Sequence, residues 1–402
     1  MAQSPGVAVR PDDPPGNVVD DRQSDQQGTR QGDPRHAAAE APSPAAPAET
    51  HLTLHLALAY TALVVYASLS PFSGWRDAGI DAWDFLKAPW PRYVTRFDIA
   101  LNVAAYVPLG FLATLAGRTW LRRGVAVAAG IACAMLLSSV LEALQTFMPG
   151  RVSSNVDLFA NAAGGVLGGI AGVAGPASRV AGLFAAWRAS LFRRDSVTDY
   201  GLALIGVWFA SQLNPSLPLM GIVFFSDGVL AQLAGYGVQD SGRLLGGLSV
   251  MVTLASVGLL LLATARTARH AMTSLVALIA VAMAIKFAAA MLLLKRDAIF
   301  LWISQDVFFA LACGFLIVSI GAFFDRPQVL LLMACTVAGQ VLVPFFLDDT
   351  PSPARALRFF EWNYGQLLNY TGLARAVAET WPYAAALFVL LAWRTRDRGR
   401  AA

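Results

Sequence analysis

Five polar side chains interrupt an apolar region of the chain where a membrane-embedded helix is otherwise expected. Glu142 and Gln145 stand near the end of one apolar run, Arg151 follows that run, and Asp157 and Asn161 begin the next. Ionisable groups at such positions are costly and usually face a partner or a water-filled cavity. Carboxylates, amides and an arginine brought together would bind a polar headgroup, and Arg151 would suit a phosphate.

A second polar stripe precedes the first. Asp98 and Tyr106 flank Asn102 at intervals of four residues, so on a helix all three share one face. If the spans alternate in direction, this helix enters the membrane from the same side as the helix that begins at Asp157. Eight candidate ligand-binding residues are therefore expected together near the outer leaflet. They are Asp98, Asn102, Tyr106, Glu142, Gln145, Arg151, Asp157 and Asn161.

Each of these residues also has a structural interpretation. The two aspartates suit helix N-caps, and the two asparagines suit hydrogen bonds between helices. Glu142 lies about two turns inside its predicted span and has no cap to make, so it requires a partner, for which Arg151 is the nearest counter-ion.

Small residues and a short duplication accompany the polar groups. The pattern Asp-x-x-x-Asn-x-Ala occurs at 98–104 and again at 157–163, which hints at a duplicated helical hairpin. Glycines with overlapping small-xxx-small spacing follow the second copy, and they predict close helix packing. They are Gly164, Gly165, Gly168, Gly169 and Gly172.

The composition places the chain in a membrane. It is 56% hydrophobic and 14% charged over 402 residues, whereas soluble domains are nearer to a quarter charged. The mean hydropathy is +0.55. The predicted fold class is an all-α polytopic integral membrane protein with ten spans. The spans are predicted near 52–71, 98–117, 125–147, 157–177, 199–220, 244–264, 271–294, 298–323, 328–347 and 380–393.

Four regions are predicted along the chain. Residues 1–50 are rich in Pro, Gly, Asp and Gln, and we expect a disordered cytoplasmic tail. Residues 51–177 would form a four-helix membrane domain, and 178–198 an amphipathic connector on the cytoplasmic membrane surface. Residues 199–402 would add a membrane domain of about six helices. The fifth span either crosses two prolines or ends at Leu213.

Arginines in the short connections predict the orientation. Residues 118–124 hold three arginines and no acid, and the amphipathic connector and the C-terminal segment hold four arginines each. The positive-inside rule then places both termini in the cytoplasm. Two long outer loops, 72–97 and 348–379, are rich in aromatic residues, which serve either as interfacial anchors or as a lid over an outer site.

The sequence contains no established catalytic or cofactor motif. It lacks a Walker loop, HExxH and GxSxG. The three cysteines and four histidines are scattered without the spacing of metal ligands. No metal or cofactor is therefore expected, and the catalytic residues, if any, stay unassigned. The excess of arginine fits orientation or anionic lipid, so no nucleic-acid partner is expected.

Two spaced signatures carry a family resemblance. They consist of Asp98, Asn102, Tyr106, Pro108, Leu109 and Gly110, and of Glu142, Gln145, Arg151, Ser154, Asp157, Asn161 and Gly164. Together with the segment YASLSPF at 66–72, they resemble the VanZ-like family over about residues 55–175. The family is named for an accessory protein that raises teicoplanin resistance, so the resemblance implies a multi-pass protein of the bacterial inner membrane and the cell envelope. It implies no catalytic mechanism.

Two main classes of function remain open. In the first, a non-enzymatic envelope factor binds or moves an amphipathic, lipid-linked molecule at the outer leaflet and affects glycopeptide or envelope-stress resistance. In the second, an intramembrane enzyme holds a divalent cation with Asp98, Glu142 and Asp157 and acts on a lipid phosphate. Proton-coupled transport through Glu142 is a third possibility. The expected partners are membrane lipids or a lipid-linked envelope precursor.

A further charge stands alone in the second half of the chain. Lys286 lies within the seventh predicted span, and Asp306 lies near the start of the eighth. Either the two side chains pair across adjacent helices or the span boundaries are misplaced.

Overall fold

The computed structural model describes most of the chain from residue 51 onward. The tail predicted to be disordered, 1–50, and the stretch 343–364, which includes much of the second aromatic loop, lie outside the described residues. The described residues are 51–70, 72, 74–77, 79–91, 95–148, 151–215, 219–220, 241–300, 302–303, 305–342 and 365–398.

Helices account for all the regular elements of the described chain. Two of them are 3₁₀ turns, Asp84–Leu86 and Arg296–Ala298, and within the same ranges no β-strand occurs. The predicted all-α fold class is confirmed. In chain order the α-helices are α1 (Leu52–Leu69), α2 (Arg96–Gly117), α3 (Arg123–Gln145), α4 (Asn155–Ala171), α5 (Gly175–Leu191), α6 (Ser196–Gln212), α7 (Ser241–Thr264), α8 (Ala268–Leu293), α9 (Gln305–Gly321), α10 (Arg326–Leu342) and α11 (Gly365–Arg398).

Six helices of the described part are long and apolar enough to cross a membrane. They are α1, α2, α3, α7, α8 and α11. The other four predicted spans coincide with α4, α6, α9 and α10, each of which has 17 residues. Such a helix is about 26 Å long, slightly less than the roughly 30 Å of a hydrocarbon core. The chain is therefore a polytopic helical membrane protein in which length and composition support six spans.

Two predicted boundaries are settled by the structure. α6 ends at Gln212, with Leu213 as its C-cap residue, so the fifth span stops before the two prolines. α11 begins at Gly365 rather than near 380 and continues through Pro382. The side chain of Trp381 donates a hydrogen bond of 3.0 Å to the carbonyl of Leu204 in α6, which holds α11 at the proline. Residues 365–379, predicted as loop, are therefore helical.

α2 and α4 run parallel and pack very closely. Gly164 and Gly168 on α4 lie against Val103 and Val107 on α2, and a Cβ added to either glycine would come within 2.3 Å and 2.0 Å of their carbonyl oxygens. A Cβ on Gly110 of α2 would likewise lie 2.2 Å from a carbonyl oxygen of α4. The predicted role of the glycines in close helix packing is confirmed. The parallel arrangement also brings the first turns of α2 and α4 to the same end of the molecule.

α1 and α3 run in the opposite direction to α2 and α4. The hydroxyl of Tyr60 in α1 donates to the carbonyl of Ala105 in α2 at 2.9 Å. Near the ends of their helices, Gln145 of α3 donates to the carbonyl of Ser68 of α1 at 3.0 Å. The last turns of α1 and α3 therefore lie beside the first turns of α2 and α4. We call this shared face the polar end.

The predicted amphipathic connector is the helix α5. Four large apolar side chains on it are exposed, at the spacing i, i+3, i+4 and i+7 expected of one helical stripe. The stripe consists of Val180, Leu183, Phe184 and Trp187.

The second half of the chain packs against α1 at the end opposite the polar end. Asp199, in the first turn of α6, forms a buried ion pair with Arg188 of α5. Its second carboxylate oxygen accepts a hydrogen bond of 2.9 Å from the backbone N–H of His51, just before α1. Asp199 thus ties the starts of α1 and α6 to the end of α5.

Candidate ligand-binding site

Two helices begin at the polar end with matching caps. Thr95 caps α2, its hydroxyl accepting from the N–H of Asp98 at 3.1 Å, and Ser154 caps α4, accepting from the N–H of Asp157 at 3.4 Å. The two aspartates are therefore the third residues of their helices, and the prediction that they are themselves N-caps is wrong. An N-cap residue has extended backbone, which Thr95 and Ser154 adopt.

The two aspartates use their carboxylates differently. Asp98 completes a capping box, accepting from the N–H of Thr95 at 3.3 Å and from its hydroxyl at 2.6 Å. Asp157 accepts a hydrogen bond of 2.7 Å from the side-chain amide of Asn102, which joins α4 to α2. The two carboxylates are near enough to repel each other. Asp98 thus stabilises its own helix, whereas Asp157 faces the interface between helices.

Glu142 is a buried carboxylate at the end of α3, with only 4% of its surface exposed. Its Oε2 accepts a hydrogen bond of 2.9 Å from the backbone N–H of Ser154, the cap residue of α4. Its backbone carbonyl accepts a second bond, of 2.7 Å, from the hydroxyl of Ser153. Glu142 therefore faces the start of α4, where Asp157 also lies.

A second polar layer lies one helical turn deeper. The side-chain amide of Asn161 donates to the hydroxyl of Ser138 at 2.9 Å, and the buried side chain of Tyr106 lies near the same hydroxyl. Ser138 precedes Glu142 by four residues on α3, and Asn161 follows Asp157 by four residues on α4. The two layers are therefore continuous along the facing sides of α3 and α4.

Gln145 and Arg151 turn toward α1 instead. Gln145 donates to the carbonyl of Ser68, and the guanidinium of Arg151 donates to the carbonyl of Ala67 at 3.1 Å. No direct ion pair joins Arg151 to Glu142 within the described residues, so the predicted direct pairing is not formed. Burial lowers the pKa of the Arg151 guanidinium, and the charge of Glu142 opposes that shift. Arg151 thus influences the carboxylate through space.

The long loop between α1 and α2 packs on the polar end. The N–H of Arg76 donates to the carbonyl of Phe147 at 2.9 Å, just after α3. The side-chain amide of Asn155 at the start of α4 donates to the carbonyl of Ala88 at 2.7 Å. The rings of Trp90 and Phe159 stack with centroids 6.1 Å apart. Both ends of the loop segment 74–91 are therefore attached to the helices that carry the cluster.

The eight ligand-binding residues predicted from the sequence leave out several members of this constellation. Ser153, Ser154 and Asn155 supply hydrogen bonds at the centre of the polar end, and Thr146 hydrogen-bonds with Ser153 at 2.8 Å. A signal for Ser154 was present, since Ser-x-x-Asp before an apolar run is a capping pattern. The contact of Asn155 with the loop had no local signal, because it depends on how a distant segment folds back.

The described residues contain no group of three or more His, Cys, Asp or Glu side chains placed to hold a metal ion. Asp98, Glu142 and Asp157, the three carboxylates considered as ligands of a divalent cation, are not assembled in that way. The arrangement instead offers separate hydrogen-bonding groups, distributed over two layers of a helix interface.

The isolated lysine of the second half is deeply buried. Lys286 lies in α8 with 0% of its surface exposed, and its ammonium donates to the carbonyl of Asn214 at 3.0 Å, just after α6 ends. Its predicted partner Asp306 is the second residue of α9, and its side chain lies outside the described part of the structure. The lysine thus stabilises an irregular stretch of backbone within the bundle.

The comparison with known families identifies the part of the chain that carries this cluster. Residues 43–173 match the VanZ/LLP1 family. The match covers α1 to α4 and ends just before α5, so the partial VanZ-like resemblance predicted from the two signatures is confirmed. No curated protein and no solved structure is significantly similar to the chain.

Proposed function

We propose that the VanZ/LLP1 segment binds an amphipathic, lipid-linked molecule of the cell envelope at the outer leaflet, without catalysing a reaction on it. The observation that carries the proposal is the placement of Glu142. Its buried carboxylate meets the N-cap amide of α4, beside the bond between Asn102 and Asp157. The elements that position it all come from residues 43–173.

A purely structural role is a poor explanation for this arrangement. A charged group inside a membrane protein costs at least about 2.5 kcal/mol at the centre of a span. The single hydrogen bond that Glu142 accepts from an amide would also be made by a neutral glutamine. The negative charge of Glu142 is therefore not needed for packing. A role in binding a ligand explains why a carboxylate occupies this position.

The orientation of the site follows from the arginines at the opposite end. Arg118 at the end of α2 donates to the carbonyl of Gly172 at the end of α4, and Arg122 and Arg123 stand in the same connection. The positive-inside rule assigns this end to the cytoplasm. The polar end then faces the outer leaflet of a bacterial inner membrane, where lipid-linked envelope molecules are accessible.

The proposal predicts that two charge-removing substitutions abolish function without loss of the protein. Glu142→Gln and Asp157→Asn keep the side-chain shape and one acceptor oxygen for the hydrogen bond that each carboxylate accepts, so the fold should persist. Each should remove resistance to lipoglycopeptides or envelope stress in a deletion strain complemented with the variant gene. Survival curves and membrane immunoblots measure the two outcomes.

The matched control is Glu379→Gln, which makes the same change at an exposed residue of α11 paired with Arg375. It should leave the phenotype at the wild-type level. Wild-type resistance with both site variants, at protein levels equal to the control, would contradict the proposed function.

A further inference from the structure

The polar end has an excess of unused hydrogen-bond acceptors. Asn161 is 6% exposed, and its Oδ1 has no hydrogen-bond partner among the described residues. The Oδ1 of Asn155 is buried and unpartnered in the same way. Burying a polar atom without a partner is unfavourable, so each oxygen is suited to receive a donor from a ligand.

The side-chain amides of the polar end each use an N–H to donate to the protein. The NH₂ of Asn102 donates to Asp157, that of Asn161 to Ser138 and that of Asn155 to a carbonyl of the loop. The NH₂ of Gln145 likewise donates to the end of α1. Asn155 and Asn161 therefore direct an N–H to the protein and leave the amide oxygen without a partner among the described residues.

The charges of the cluster also favour a ligand that donates hydrogen bonds. The carboxylates of Glu142 and Asp157 both face the helix interface at the polar end, and the nearby Arg151 donates to a backbone carbonyl of α1. Within the described residues, the Glu142 side chain accepts one hydrogen bond, from the N–H of Ser154. A buried carboxylate with one hydrogen bond favours a cationic ligand, because charge-assisted hydrogen bonds are the strongest that it can form.

From these three observations we infer that the site recognises its ligand through an ammonium group that carries N–H donors. The inference rests on the proposed function and assigns the chemical class of the headgroup. A primary ammonium has three donors and no acceptor, which complements carboxylate and amide oxygens. A phosphate would instead meet the carboxylates with like charge. The headgroup therefore enters the cluster by its amine, and Arg151 plays no leading part in holding it.

Lipid retention by the purified full-length protein tests the inference. The protein in detergent is equilibrated with phosphatidylethanolamine, phosphatidylcholine or phosphatidylglycerol of identical acyl chains, and bound lipid is counted by native mass spectrometry. Phosphatidylethanolamine should bind about tenfold more tightly than phosphatidylcholine, whose quaternary ammonium has no N–H to donate. Phosphatidylglycerol, which has hydroxyl donors and a net negative charge, should bind no better than phosphatidylcholine.

Variants assign the preference to the site. Glu142→Gln should reduce the preference for phosphatidylethanolamine to near unity, and Glu142→Asp, which keeps the charge, should retain part of it. Glu379→Gln on α11 should behave as wild type. If one of these variants folds poorly, the lipid preference of the others still tests whether Glu142 determines it.

The outcomes separate the inference from the proposed function. Preferential binding of phosphatidylglycerol or of dodecyl phosphate, lost in Glu142→Gln, would overturn the ammonium assignment and leave a lipid-binding site in place. Lipid binding that is the same in the wild-type protein, Glu142→Gln and Asp157→Asn would overturn both.

Discussion

Asn102 and Asn161 occupy matching positions in the two Asp-x-x-x-Asn stretches, yet their contacts differ. Asn102 donates across the interface to Asp157, whereas Asn161 donates to Ser138 of α3. The difference arises because the two asparagines face different neighbours. Asn102 of α2 faces α4, whereas Asn161 of α4 faces α3. The shared sequence pattern therefore determines the N-caps and the helical registers of the two stretches. The neighbouring helices determine which group each side-chain amide binds.

Removing the hydroxyl of Ser154 tests the role of the α4 cap. Ser154→Ala deletes the side-chain acceptor for the N–H of Asp157 but keeps the backbone N–H that binds Glu142. We expect a loss of about 1 kcal/mol of stability with lipid binding retained. Unfolding of the purified protein measures the first quantity and native mass spectrometry the second.

The control for this prediction is Ser139→Ala. Within the described residues its hydroxyl donates to a carbonyl of its own helix, that of Met135, on an exposed face of α3, so its removal should change stability by a few tenths of a kcal/mol. Equal stability of the two variants would show that the cap contributes nothing measurable.

At the scale of helices, the contact between α2 and α4 fixes the geometry of the site. The glycines of α4 let its backbone touch that of α2, so the first turns of the two helices cannot separate without breaking this contact. The bond from Asn102 to Asp157 spans the same interface at the polar end. Close packing in the middle of the pair thus determines the spacing of polar groups at its end.

A methyl group placed in this contact should force the helices apart. A Cβ on Gly168 would lie 2.0 Å from the carbonyl oxygen of Val107, a backbone atom with little freedom to move. Gly168→Ala should therefore cost about 1–3 kcal/mol and weaken lipid binding at the polar end. Thermal unfolding and lipid retention of the purified protein measure these effects.

The matched control is Gly182→Ala, in the middle of α5, where an added Cβ meets no atom within 4 Å. Because alanine favours helix more than glycine does, this change should be neutral or stabilising by up to about 1 kcal/mol. If Gly168→Ala is as stable as Gly182→Ala, the close contact does not hold the two helices.

At the scale of the whole molecule, the polar end and the arginine-rich connections lie at opposite ends of the helices. The connection after α5 pairs with the turn between α7 and α8 through a backbone bridge from Phe192 to Ala265. The N–H of Arg193 also donates to the carbonyl of Thr264. α6 and α8 therefore both begin at the end of the molecule where α5 lies. The predicted alternation of spans requires this arrangement.

Labelling from each side of the membrane tests the orientation. In a variant without native cysteines, Arg76→Cys in the first long loop should react with an impermeant maleimide in intact cells. Arg194→Cys, exposed after α5, should react only after permeabilisation, because the arginine-rich end is expected in the cytoplasm. Tags at residues 5 and 400 should both be cytoplasmic.

The reverse pattern of labelling would place the polar end in the cytoplasm and contradict the proposed outer-leaflet site. Tags on opposite sides would instead show an odd number of crossings, which would rule out the ten spans predicted from hydropathy.

The sequence by itself determined the membrane class, the helical fold and most of the helix positions, because hydropathy depends on composition within one segment. It also singled out the polar residues, since a carboxylate such as Glu142 is conspicuous in an apolar run. It failed at residues 365–379, which were predicted as loop because they are too polar for a span and which form the first part of α11. α11 runs through Pro382, and a contact to a distant helix supports it there.

Only the tertiary structure decided which polar groups meet. The caps are Thr95 and Ser154 rather than the aspartates, Arg151 turns to α1, and Glu142 finds the amide of Ser154. These contacts join residues on separate helices, and their geometry is set by how closely the glycines of α4 let α2 approach. Hydropathy and local spacing carry no information about such distances, because backbone contact between helices depends on both partners at once.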